Sequence, residues 1–161
     1  MKIGLALEEL HRSETKLARQ LRAISARHYV EHEIHYVAQD LAVWSDVHVQ
    51  ELARSAGRHG LFLSAGNPRE TPRVVDAIAQ RVSTAFGSQP APGLILLADL
   101  RRVHRSAAGV SLDWELLAQG AQVVGDTDLI DVTARSHPET LRQMRWANAM
   151  LKTLSPQVLA S

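Results

Sequence analysis

The stretch Gly93–Val124 reads GLILLADLRRVHRSAAGVSLDWELLAQGAQVV. Its apolar residues Leu96, Leu100, Val103, Ala107, Val110, Trp114, Leu117, Ala121 and Val124 follow one another at alternating steps of four and three. That spacing keeps a single stripe on one face of an α-helix and is incompatible with a strand, whose faces alternate every residue. Proline is absent from the stretch, and Gly125-Asp126-Thr127 follows as a stop and a restart.

Three more stripes lie outside it. Ile3, Leu7, Leu10, Leu17, Leu21 and Ile24 mark a first helix over residues 3–26, with Glu14 standing where the stripe calls for an apolar residue. Val30, Ile34, Val37, Leu41, Trp44, His48 and Leu52 mark a second helix over residues 30–57, ended by Gly57 and Gly60. The join at Arg27–Tyr29 carries neither Gly nor Pro, and a tight turn is expected there, because one continuous helix could not bury its own stripe. The fourth helix spans 127–154 on Leu129, Val132, Thr140, Met144, Ala147, Leu151 and Leu154. Asp126 or Thr127 can cap it. Ser136-His137-Pro138-Glu139 reads as a capping box that bends or restarts it, and Pro156 ends it. Residues 61–92 form a linker holding Pro68, Pro72, Pro90 and Pro92, with a short amphipathic helix at 72–86 on Val75, Ile78, Val82 and Phe86.

Four long helices with one apolar stripe each bury those stripes best as an all-α four-helix bundle, here a single domain over 1–161. Short joins make hairpins of helices one–two and three–four. The long second connection lets helix three start at the same end as helix two, an up-down-down-up order with a long crossover.

Composition narrows the chemistry. Of 161 residues, 45% are hydrophobic and 22% charged, which suits a globular domain and not a disordered chain. Lys plus Arg number 18 against 17 for Asp plus Glu, so bulk charge gives no reason to expect nucleic acid as a partner. The absence of cysteine excludes disulfides, thiolate metal sites and a Cys nucleophile. Glu8 and Glu9 interrupt any leader-like apolar run after Met1, and the longest apolar run, Leu94–Ala98, is far too short for a bilayer. A cytoplasmic location without a membrane partner is therefore expected. No nucleophile elbow or Gly-rich phosphate loop occurs. Trp44, Trp114 and Trp146 are expected in the core. The basic clusters at 101–105 and at Arg142, Arg145 and Lys152 are expected to be solvated faces.

Two hairpins joined by a crossover resemble the ferritin-like fold over residues 3–57 and 93–154. The stretch DLAVWSDVH at 40–48 is also similar to small helical-bundle proteins of uncharacterised function, a resemblance that implies no activity. Ferritin-like metalloproteins imply a di-iron or di-manganese centre, with Glu on two helices and Glu-x-x-His on the other two. This chain departs from that pattern: its one Glu-x-x-His is Glu8-Glu9-Leu10-His11 on the first helix.

Histidine gives the candidate sites. Glu14 and His48 each occupy a core-stripe position, and a buried charge demands a partner. Counting from the helix ends places Glu14 near Asp40 and His104, and His48 near Glu8 and Ser111. Glu14, His48 and His104 are thus interior candidates for a metal or a structural pair. His28, Glu31 and His35 share one helical face if the second helix extends that far, a second candidate set. The sequence assigns no cofactor; iron, manganese or zinc are the ions such donors would hold. The function expected is a non-enzymatic bundle acting as a scaffold, by self-association or with a protein partner. The alternative is a divergent metal-binding bundle, dinuclear or with a mononuclear His/Glu site, with an oxidoreductase or metal-handling role.

Overall fold

The computed structural model describes residues 2–66 and 91–161. Helix α1 spans Lys2–Arg27, α2 His32–Arg58, α3 Pro92–Val124 and α4 Thr127–Ala160. The short helix expected at 72–86 lies outside the described residues.

Each helix end has a local cause. Residues 28–31 turn the chain between α1 and α2, and the α1 and α2 segments cross-link there through Ser25 and His35: His35 Nδ1–H donates to the Ser25 carbonyl at 2.9 Å, and Ser25 Oγ–H donates to the His35 carbonyl at 2.9 Å. α2 closes in a left-handed glycine cap. Gly60 takes φ 74°, Gly60 N–H donates to the Gly57 carbonyl and Leu61 N–H to the Ala56 carbonyl. Gly125 ends α3 in the same way at φ 69°, with Asp126 N–H reaching back to the Ala121 carbonyl. Asp126 then turns to α4, where its Oδ1 accepts from Leu129 N–H at 3.0 Å as an N-cap.

α4 departs from the expected break. It runs unbroken through both Pro138 and Pro156. Each proline removes one backbone donor, and packing on neighbours offsets the loss. Ser136, Thr140 and Gln143 around Pro138 are all buried. Beyond Pro156, Val158 lies so close over Gly93 that a Cβ there would stand 2.9 Å from its Cγ2.

The packing order is α1 on α2, α3 on α4, α1 on α3, and α2 on α4 along the loosest of the four seams. Ile3 lies beside Gly120, Glu14 meets Trp114 and Arg27 meets Asp99, so α1 and α3 are antiparallel. The order is up-down-down-up. One apolar core joins all four helices, from Leu7, Leu10 and Leu117 near one end to Ile24, Ile34 and Leu100 near the other. α2 enters it rotated from its large-residue stripe. Trp44 and Val37 are half-buried while Ala38, Ala42 and Ser45 are buried, because small residues let α2 approach its neighbours.

Candidate functional site

The interior polar group stands at mid-height and takes a residue from every helix. Glu14 on α1 and Trp114 on α3 are fully buried, His48 on α2 is 1% exposed, and Thr140 on α4 is fully buried. His48 Nδ1–H donates to Glu14 Oε1 at 2.8 Å. The same oxygen accepts from Trp114 Nε1–H at 2.8 Å and from the Thr140 hydroxyl at 3.3 Å. On its other side His48 Nε2–H donates to Glu139 Oε2 at 2.8 Å. Trp114 also stands edge-on to the imidazole, ring centres 5.6 Å apart at 82°. Glu139, its side chain one-third exposed, is the member of the group that reaches water.

A neutral imidazole has one N–H, so facing a carboxylate with each nitrogen favours the doubly protonated ring. Burial is the largest single influence on His48 and opposes its charge. Hydrogen bonding and attraction from Glu14, then from Glu139, outweigh it, and the pKa stands above the ordinary 6.5. One turn further along, Gln143 Nε2 donates to the Leu41 carbonyl and to Ser45 Oγ, both at 2.9 Å. Within this layer the buried oxygens Glu14 Oε2 and Gln143 Oε1 find no donor among the described residues.

The pairing of Glu14 with His48 joins two of the three interior candidates. Asp40 and His104 are not the partners of Glu14. The hairpin reflects through the turn at 28–31, which brings residue 14 level with the turn of helix holding Ser45 and His48. His104 is half-buried on α3, its Nδ1–H donating to the Met144 carbonyl at 3.2 Å. Ser111 pairs with His137, Oγ to Nε2 at 2.8 Å, and not with His48.

The second candidate set does not share a helical face, because residues 28–31 form the turn and α2 begins at His32. His28 Nε2–H donates to Asp99 Oδ2 at 2.9 Å, His35 bonds Ser25, and Glu31 is exposed. Asp99 is 6% exposed and also accepts from Arg27 at 2.6 Å and from Arg102 at 3.1 Å. Burial pushes its pKa up, but the bonds and charges of His28 and Arg27 prevail and hold it below 3.8.

Glu139 and Asp99 escaped the sequence reading. Glu139 read as the end of a capping box, and Asp99 was not singled out. The available signal was His48 itself, since a buried imidazole needs a partner at each ring nitrogen.

Glu14 and Glu139 face opposite nitrogens of one imidazole, and the Trp114 N–H takes Glu14 Oε1 while Oε2 stays without a donor among the described residues. Among the described residues no three His, Asp or Glu side chains converge on one point. No helix among them is long and apolar enough to cross a membrane. No family model, curated protein or solved structure matches this chain.

Proposed function

We propose that this chain is a non-enzymatic bundle of ferritin-like design that works as a scaffold through contacts with protein surfaces, its own copies included. The observation that carries the reading is the closure of the interior group. Both His48 nitrogens and the Trp114 N–H are taken up by Glu14 and Glu139, so the donors of the group are spent on holding the helices together. Polar positions in a bundle core fix helix register and partner choice, and this group ties all four helices at one level.

The placement of the polar residues supports the ferritin-like design. Ser45 and His48 on α2, and Thr140 and Gln143 on α4, are pairs three residues apart, while Glu14 and Trp114 are single residues on α1 and α3. Ferritin-like di-metal bundles use the same arrangement of two pairs and two single residues. Here Ser, Thr, Gln and Trp occupy most of those places, and none of them is a strong ligand. Contact with partners is supported by the outer face of α3, where Leu112, Leu116 and Val123 are 62%, 68% and 88% exposed at steps of four and seven.

The test is metal analysis of protein purified without a metal-binding tag, beside sedimentation of wild type and Leu116→Lys. The expected result is a folded, metal-free protein whose self-association weakens in the variant. Stoichiometric iron, manganese or zinc that is lost in Glu14→Ala or His48→Ala would defeat the scaffold reading in favour of the metal-handling one.

A further inference from the structure

α2 carries a second stripe, on the side turned away from the core. Tyr36, Asp40, Val43, Val47, Gln50 and Arg54 are all exposed and follow one another at alternating steps of four and three. Gly57 continues the series three residues on. The residues that α2 buries in the bundle, from Ile34 to Ala56, are a different set. A solvated helix face has no use for apolar residues, yet Tyr36, Val43 and Val47 are 62%, 57% and 46% exposed. A repeat of four and three is the seam along which one helix packs on another. α1 and α4 take the inner side of α2, and none of the described helices takes this one.

The order of residues along the stripe specifies what fits it. Reversed about Val47, the stripe meets itself in complementary form. Asp40 comes level with Arg54, Val43 falls beside Gln50, Tyr36 beside Gly57, and Val47 on Val47. Asp40 and Arg54 make no ion pair with a described residue. A Cβ added at Gly57 would meet nothing within 4 Å, so the surface there is open to a tyrosine ring. A parallel pairing would instead set Asp40 on Asp40 and Arg54 on Arg54, like charge on like. The charges therefore select the antiparallel arrangement. A two-fold axis at Val47 generates it, and every contact then occurs twice. The paired stretch, from Tyr36 to Gly57, is about 30 Å long.

We propose that α2 packs on α2 of a second copy of this chain, antiparallel and centred on Val47, with Asp40 of each copy facing Arg54 of the other. The proposal rests on the scaffold reading and gives it one definite contact. It is distinct from the outer face of α3, a helix that α2 does not touch.

The chain has no cysteine, so a single introduced one reports on contact between copies. Val47→Cys should cross-link to itself under mild oxidation, because the axis brings the two thiols together. Asp40→Cys should not, since its copies lie about 21 Å apart along the pair. The Val47→Cys cross-link should survive Leu116→Lys. Sedimentation of the full chain should show a dimer that Asp40→Arg and Arg54→Asp each weaken about tenfold or more. Mixing those two variants should restore it, because each offers the other opposite charges at both contacts. Val47→Arg should abolish it. These positions are exposed, so helicity and melting temperature serve as the folding control. Asp40→Cys cross-linking as readily as Val47→Cys would overturn the antiparallel register. Self-association indifferent to Val47→Arg and to the charge swaps would overturn this interface and leave the scaffold reading standing. A chain that stays monomeric would overturn it as well and hand the face to a different protein, with metal analysis then deciding the scaffold reading.

Discussion

Glu14 is the residue on which the interior depends. Its Oε1 takes three donors from three other helices, so truncation leaves the His48 Nδ1–H and the Trp114 indole N–H buried without an acceptor. Glu14→Ala should cost about 3–5 kcal/mol in urea unfolding, the range for removing one partner of a buried ion pair. His48 makes stability depend on pH in a definite sense. Its folded pKa is above 6.5, so the folded chain holds this proton more tightly than the unfolded chain. Its contribution is complete below 6.5 and is lost as pH rises through the folded value. The stability gap between wild type and His48→Gln should therefore narrow on going from acid-neutral to alkaline buffer. A gap that widens with pH would contradict the bridged imidazolium. Glu14 and His48 were legible in the sequence because each interrupts an apolar stripe. Their pairing was not, because it depends on where the hairpin reflects, and a shift of one or two turns changes every cross-helix neighbour.

At the scale of the helix, the ends and close approaches carry the predictions. Asp126 caps α4 and also accepts from His59 Nε2 at 2.9 Å, which ties the end of α2 to the start of α4. Asp126→Ala should cost about 1 kcal/mol, as loss of an N-cap usually does. The bond from Leu129 N–H is the main cause that holds the Asp126 pKa below 3.8. Its stabilisation is thus complete above 3.8 and fades as pH falls through the folded value. The cost of Asp126→Ala should shrink in acid, which thermal melts over that range would show. Gly93→Ala is predicted to lower the melting temperature, because the new methyl meets Val158 at 2.9 Å; an unchanged melt would mean that α4 does not hold its last turn against α3. Helix limits were legible to within a few residues wherever glycine or Asp126 supplied a signal. The end of α4 was not. Pro156 is a local stop signal, and the packing of Val158 on Gly93 is a tertiary one that overrides it.

For the molecule as a whole, four stripes and one long connection were enough to read an up-down-down-up bundle, because hydrophobic periodicity is a property of the chain and burial follows from it. What periodicity does not encode is the chemistry of the layer where the stripes fail. The molecule resolves that layer by clamping one imidazolium between Glu14 and Glu139, at the level where Trp114 and Thr140 also close on the carboxylate. The most direct measurement is a long-range proton–nitrogen correlation spectrum of the His48 ring, followed with pH. The bridge predicts that both ring nitrogens carry a proton at pH 6 and that the ring gives one up only at a pH above 6.5. A His48 ring with one bare nitrogen at pH 6, or with a nitrogen shifted by a bound metal, would contradict it.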